Sequence, residues 1–131
     1  MYLLDSDTLI FILRGHEGVT DRFRQEPRQT LFTSIICISE LYYGAYKSSE
    51  PRQNASAVLK LRSYLTVLPI SFDAASYFGQ LKAGLEKRGQ RLSDADLWIA
   101  ATAYMKDMTL VSHNTKHFKR VSDLKLEDWV I

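Results

Sequence analysis

The chain lacks the features of a secreted or membrane protein. Its single cysteine, Cys37, excludes an internal disulfide. Its apolar runs are too short to cross a bilayer, and no basic flank with a long apolar segment and a cleavage site opens the sequence. We therefore expect a cytoplasmic protein without membrane contact.

The chain also has a small net charge. A formal charge of +2 is too small to make the whole surface bind polyanions, so a nucleic-acid function must depend on where the charges lie. A hydrophobic content of 46% over 131 residues is sufficient for one core. No repeat, low-complexity segment or long linker divides the chain. We predict a single domain over residues 1–131.

Strand-like and helical segments alternate along the chain. The segments "YLLD", "TLFTS", "TVLPIS" and "TLVSHN" are typical of short strands, the stretches between them have helical spacing, and "LEDWVI" could add an edge strand. This alternation predicts right-handed crossovers and an α/β fold with a mostly parallel sheet between helices. In such sheets the functional site lies beyond the carboxyl ends of the strands.

Acidic residues occur at that predicted edge. Asp5 ends the first strand, and Asp96 precedes the apolar helix "LWIAATAYM". Glu40 lies at helical spacing from Ile36 and Tyr43, so we expect it within an apolar stripe, where a carboxylate needs a partner. Carboxylates drawn into one pocket repel each other, and a divalent cation neutralises them. The pattern predicts a Mg²⁺ or Mn²⁺ site for phosphate-ester chemistry.

Further polar residues extend this prediction. Ser112 and Asn114 follow the strand "TLV" and are expected at the same edge. Asp94 is an additional candidate ligand. Residues two apart on a helix point about 200° away from each other, so Asp94 and Asp96 can serve one ion only if Asp94 precedes the helix.

Structural roles are open for the same residues. Asp5 and Asp7 could cap the next helix, and Ser93 with Asp96 has the spacing of a capping box. His113 and His117 have a spacing that zinc sites use, but no accompanying carboxylate completes the usual pattern. Cys37 is expected in the core.

Four segments together resemble a known family. "LLDSDTLI", "SELYYGA", "DLWIAATA" and "LVSHNTKHFKRV", in this order and at these separations, are similar to the PIN-domain ribonucleases, and in particular to the VapC toxins of bacterial toxin–antitoxin pairs. The resemblance covers nearly the whole chain. It implies a three-layer α/β/α sandwich and a Mg²⁺-dependent endoribonuclease in which Mn²⁺ can substitute.

The same resemblance implies residue roles and partners. The family's acids correspond to Asp5, Glu40 and Asp96, and Asn114 stands where many PIN domains have a fourth aspartate. RNA is the implied substrate, with tRNA the leading class and initiator tRNA one candidate. A cognate VapB-like antitoxin would cover the site of a homodimer, and cleavage would leave a 5′-phosphate and a 3′-hydroxyl.

Basic residues near the site are candidate phosphate contacts. We predict this role for Lys116, Lys119 and Arg120. A second basic group is equally compatible with a solvated helix end or with RNA contact, and it comprises Lys82, Lys87, Arg88 and Arg91.

Two other functions stay open at this point. "DSDTL" is similar to the D-x-D-x-T start of haloacid-dehalogenase-like phosphatases, but one residue is missing before Thr8 and no convincing lysine with a late acidic pair follows. A non-catalytic PIN-like module that dimerises and binds a partner is the other alternative, because Asn114 replaces an acid. Assaying p-nitrophenyl phosphate beside structured RNA discriminates among the three.

Overall fold

The computed structural model describes residues 1–131 and contains five strands and seven α-helices. The strands are β1 (Tyr2–Leu4), β2 (Leu31–Ser34), β3 (Thr66–Leu68), β4 (Thr109–Val111) and β5 (Leu126–Glu127). The helices are α1 (Ser6–Leu13), α2 (Glu17–Gln25), α3 (Ile35–Lys47), α4 (Pro51–Arg62), α5 (Phe72–Lys87), α6 (Asp94–Met105) and α7 (Thr115–Phe118).

The strands form one sheet in the order β3-β2-β1-β4-β5, and every neighbouring pair is parallel. Leu3 in β1 is paired with Phe32 in β2 and with Leu110 in β4, which puts β1 at the centre. The predicted α/β class, the parallel sheet and the three-layer α/β/α arrangement are confirmed. A parallel order with the first strand central brings the ends of β1, β2 and β4 to one edge.

The central strands are short and mostly buried. Leu3, Leu4, Leu110 and Val111 are completely inaccessible, as expected for parallel strands covered on both faces. Thr33 is equally buried, and its hydroxyl donates to the Leu4 carbonyl at 2.7 Å, so its polar atom is satisfied within the core.

Two helices begin directly at the ends of strands, α1 after β1 and α3 after β2. Asp5, Ser34 and Ser71 cap α1, α3 and α5, and Ser93 caps α6 after a loop. In each case a side-chain oxygen accepts a hydrogen bond from a main-chain N–H that the helix leaves unpaired. The short connection between β1 and α1 fixes the direction of the Asp5 side chain.

The register of α3 differs from the prediction. Its buried residues are Cys37, Ile38, Leu41 and Ala45. Glu40 is exposed, so the expected position of Glu40 inside an apolar stripe with Tyr43 is wrong. Apolar residues occur on almost every face of "IICISELYYGAY". Packing against the rest of the fold, and not the sequence pattern, therefore determines which face of α3 is buried.

Smaller differences occur near the chain end. The sequence did not predict the four-residue helix α7, and β5 is confirmed as an edge strand of only two residues. Cys37 lies in the core as expected. No helix combines the length and apolar character that a membrane span requires.

Candidate active site

Asp5 is a buried carboxylate at the junction of β1 and α1. Only 5% of the residue is exposed. Its main-chain N–H donates to the Val111 carbonyl at 3.1 Å, and its Oδ1 accepts from the Thr8 N–H at 2.9 Å. Burial raises the pKa of Asp5 to about 6, although contacts with Ser112 and Thr8 partly oppose the rise. The predicted capping role is therefore real, but the helix cap leaves this acid without a cationic partner.

Ser112 and Asn114 hold the loop after β4 against Asp5. Ser112 is completely buried, and its N–H donates to the Glu127 carbonyl at 2.9 Å. Its hydroxyl contacts the Asp5 carboxylate and accepts from the Asn114 N–H at 2.9 Å. The half-buried Asn114 side chain continues outward, with its Nδ2 lying 2.8 Å from His117 Nδ1. Ser112 therefore faces Asp5, whereas Asn114 reaches the surface.

Glu40 approaches the same edge from α3. The Ser6 hydroxyl donates to Glu40 Oε1 at 2.5 Å, and Ser6 directly follows Asp5. A hydrogen bond of this length to a carboxylate is charge-assisted. Although Glu40 is exposed, the bond orients its carboxylate toward the start of α1.

Asp96 is half-buried in the first turn of α6. Its N–H donates to Ser93 Oγ at 3.1 Å, as the capping-box alternative predicts. Burial raises the pKa of Asp96, and the charges of Glu40 and Asp7 raise it further, whereas Ser93 and His117 oppose the rise. The charges of Glu40 and Asp7 therefore act on Asp96 across this edge.

Asp94 occupies a different position. It is the first residue of α6 and lies mostly exposed, with its Oδ1 3.0 Å from the ammonium of Lys82 on α5. Because Asp94 lies within the helix, the condition for sharing an ion with Asp96 is not met. The structure brings Asp5, Glu40 and Asp96 to one edge and leaves Asp94 outside this group.

The acidic group suits a hard divalent cation. None of its carboxylates is in an ion pair with lysine, arginine or histidine, and burial raises the pKa values of Asp5 and Asp96. No three histidine, cysteine, aspartate or glutamate side chains lie close enough together to hold a metal ion by themselves. Mg²⁺ needs only one or two carboxylates because it retains several waters, so an open carboxylate set fits this ion better than zinc.

The predicted basic residues lie on α7 and directly after it, in the segment that follows Asn114. Lys116 and Lys119 are exposed on and after α7, and the half-buried Arg120 follows them. The Arg120 guanidinium donates to the Arg91 carbonyl at 2.7 Å, which joins α7 to the loop before α6.

Asp128 was not identified from the sequence. Its Oδ2 lies 3.0 Å from His113 Nδ1, and its Oδ1 accepts from the Val130 N–H at 2.9 Å. The His113 ring also packs edge-on against Phe11 in α1. These contacts fix the loop that carries Ser112 and Asn114, and only the pairing of β4 with β5 brings the two segments together.

An apolar groove lies along α1 and α4. Its larger part, of about 610 Å³, is bounded by α1, α2 and α4 and includes Phe23, Leu61 and Tyr64. A second part, of about 320 Å³, runs between α1, α3 and α4 to Glu40. Leu13 and Ala57 line both parts, so the two parts are adjacent, and Glu40 lines the second.

Comparison with known proteins gives a consistent result. The family model described as the PIN domain matches residues 2–124. The chain is 36% identical over 130 residues to Ribonuclease VapC2 of Haemophilus influenzae, with 98% of each protein covered. It is 34% identical over 134 residues to the tRNA(fMet)-specific endonuclease VapC of Salmonella typhimurium, covering 98% of this chain and 97% of the relative.

Solved structures agree in fold over the same length. The DNA-bound VapBC structure from Salmonella typhimurium matches with a TM-score of 0.92 and 32% identity, covering 98% of this chain and 97% of its counterpart. VapBC2 from Rickettsia felis, bound to a promoter DNA fragment, matches with a TM-score of 0.89 and 31% identity, covering 98% of each chain.

Proposed function

This chain belongs to the PIN-domain family and, within it, to the VapC ribonucleases, and from that premise we propose that it is a toxin endoribonuclease neutralised by a cognate antitoxin. The proposal is carried by the open group of Asp5, Glu40 and Asp96 at the carboxyl edge of the sheet, which contains no cationic partner. Family membership removes the phosphatase alternative. We propose tRNA as the leading substrate class, because a relative 34% identical to this chain is named as a tRNA(fMet)-specific endonuclease.

We propose that Asp5 and Asp96 hold Mg²⁺, directly or through water, and that Glu40 completes the set or orients the attacking water. A divalent cation in such a site supplies charge neutralisation for phosphodiester hydrolysis, and Mn²⁺ should substitute for Mg²⁺. Asn114 reaches the surface and can hydrogen-bond a phosphate oxygen or water. The buried Ser112 acts through Asp5 and Asn114 as a positioning residue.

The proposed activity is tested with purified protein and two substrates. Structured RNA, beginning with a tRNA anticodon stem-loop, should be cut to products with a 5′-phosphate and a 3′-hydroxyl, whereas p-nitrophenyl phosphate should not be hydrolysed. A protein that binds the antitoxin and leaves every RNA intact would support the non-catalytic alternative instead.

Removing divalent cations should abolish cleavage. We expect EDTA to inhibit the purified protein, Mg²⁺ or Mn²⁺ to restore activity, and Ca²⁺ to restore little, because Ca²⁺ is larger and tolerates less ordered coordination. Zinc should not be required. Cleavage that persists after exhaustive chelation, with metal content measured as negligible, contradicts the metal-dependent mechanism.

The two acids of α6 provide a matched pair of variants. Asp96→Ala should reduce cleavage at least about 100-fold, because it removes a proposed ligand from a site that stabilises transition-state charge. Asp94→Ala should have a much smaller effect, because its carboxylate is exposed and paired with Lys82. Cleavage rates and thermal melting of both variants test this difference, and full activity in Asp96→Ala would exclude the metal role of Asp96.

The apolar groove supplies a candidate binding surface for the antitoxin. We propose that an apolar antitoxin segment occupies the space between α1, α2 and α4 and continues along α3 to Glu40. Arg24, Arg28 and Lys60 line the larger part of the groove and favour a partner with acidic residues at its margin. A segment bound in this way would be anchored in the apolar groove and would extend to Glu40.

A homodimer also remains a proposal. Tyr43 and Tyr46 on α3 and Phe72 at the start of α5 expose 66%, 65% and 92% of their surfaces, respectively. Contiguous exposed apolar surface is typical of protein interaction sites, and we propose that a second copy of this chain covers these side chains.

A further inference from the structure

Two short segments of the chain are strongly basic. Residues 87–91 contain Lys87, Arg88 and Arg91, residues 115–120 contain Lys116, Lys119 and Arg120, and neither segment contains an acid. They supply six positive charges, whereas the whole chain has a net charge of +2, so all other residues together have a net charge of −4. The distribution is strongly asymmetric although the net charge is small.

A direct contact joins the two segments. The Arg120 guanidinium donates to the main-chain carbonyl of Arg91 at 2.7 Å, across 29 positions of sequence. The end of α5 fixes the first segment, because the Gln90 N–H donates to the Leu85 carbonyl at 2.9 Å and Gly89 has a φ of +68°. The basic side chains therefore extend from a defined backbone path.

The joined segments adjoin the candidate active site. Arg91 lies two residues before Ser93, the cap of α6, and Asp96 lies in the first turn of that helix. In the second segment His117 contacts Asn114. None of the six lysines and arginines is in an ion pair, and all except Arg120 are exposed. Arg88 lies back along α5 near Gly84, so Lys87 and Arg91 are the cations freest to reach outward.

We propose that residues 87–91 and 115–120 form one surface that binds the phosphate backbone of RNA beside the acids. This inference rests on the proposed ribonuclease function and extends the RNA contacts beyond α7 to the loop between α5 and α6. The acids repel phosphates, so neighbouring unpaired cations are required to hold a strand close to them. Contacts of this kind fix the position of the strand without reading its bases.

The test removes two of these positive charges without disturbing the hydrogen bond that joins the two segments. Lys87→Ala with Arg91→Ala leaves the Arg120 hydrogen bond intact, because Arg120 contacts the main chain of Arg91. The control, Arg52→Ala with Arg62→Ala, removes the same charge from exposed positions on α4. Cleavage of a labelled tRNA anticodon stem-loop, or of another RNA that the wild type cuts, is measured over a range of salt concentrations, together with antitoxin affinity.

The two double variants should differ clearly. For the loop variant we expect KM to rise about tenfold at 0.15 M salt and the slope of log KM against log salt to fall by about 1.4, which corresponds to two lost contacts with single-stranded phosphates. The turnover at saturating RNA, the melting temperature and the antitoxin affinity should stay unchanged. The control variant should keep a KM within about twofold of the wild type, because general electrostatic attraction is only a small part of the effect.

Three other outcomes would overturn the inference. An unchanged KM and salt slope in the loop variant would show that the loop does not contact RNA. Unchanged KM with weakened antitoxin binding would assign the surface to a protein partner. An equal rise of KM in the loop and control variants would show that RNA binding depends on the total charge of the protein and not on this surface. A wild-type protein that cleaves no RNA is distinguishable from all three, because it rejects the proposed function itself and with it this surface.

Discussion

Asp5→Asn is expected to abolish RNA cleavage and, in metal-free buffer at pH 7, to make the protein more stable. Burial raises the pKa of Asp5 to about 6 from 3.8. Between these values the folded state holds a proton that the unfolded state has released, so the free energy of unfolding falls as pH rises through this window. A shift of this size corresponds to a penalty of about 3 kcal/mol at neutral pH.

Asparagine should recover only part of that penalty. Its side-chain oxygen can still accept from the Thr8 N–H, which Asp5 caps at 2.9 Å, but it loses the charge-assisted strength of that bond. We therefore expect a gain of about 1–2 kcal/mol in the free energy of unfolding at pH 7, shrinking toward zero near pH 4. Loss of the proposed ligand should meanwhile reduce cleavage by at least about 100-fold.

Denaturant unfolding in EDTA at pH 4, 5, 6 and 7, with parallel cleavage assays in Mg²⁺, tests both effects. Asp7→Asn is a matched control, because Asp7 is exposed two residues away and should change stability by less than about 0.5 kcal/mol. An Asp5→Asn variant that is less stable than the wild type at pH 7, or that cleaves normally, contradicts this account. A variant that gains stability and loses activity would identify a site that is destabilised when its cation is absent.

The sequence predicted the sheet edge well because two separate signals agree there. Asp5 was expected to end β1, and the structure places it one residue beyond the strand as the cap of α1. The inward face of α6 was also foreseeable, since Ala100 and Ala103 follow the half-buried Asp96 at helical spacing and both are fully buried. Short parallel strands with helices at their ends leave few alternative positions for such residues.

The contacts of individual side chains were less predictable. Glu40 was expected inside an apolar stripe, whereas the structure shows it exposed and bonded to Ser6. An apolar helix such as α3 has no single periodic face, so tertiary packing determines its orientation. The Asp128–His113 contact likewise depends on the pairing of β4 with β5, and a pairing of two residues leaves almost no sequence signal.

The second large effect concerns inhibition by the antitoxin. The acidic group contains no cation from this chain, and the apolar groove leads to Glu40. A partner segment anchored in that groove would reach the acids. Arginine pairs bidentately with carboxylates better than any other side chain. We therefore expect the antitoxin to insert an arginine or lysine among Asp5, Glu40 and Asp96, and to compete with the metal.

Replacing that basic residue of the antitoxin by alanine should weaken inhibition about 100-fold or more, because truncating one member of a buried charge pair leaves the acids unpaired. Arginine-to-lysine should have an intermediate effect, since lysine keeps the charge but loses the bidentate fork.

The purified complex is titrated with Mn²⁺ while cleavage and antitoxin release are followed, and each basic residue of the partner is replaced in turn. Alanine at other basic positions provides the control. If no basic residue affects inhibition and saturating Mn²⁺ never weakens it, the antitoxin does not occupy the acids and must act through the dimer or the RNA-binding surface.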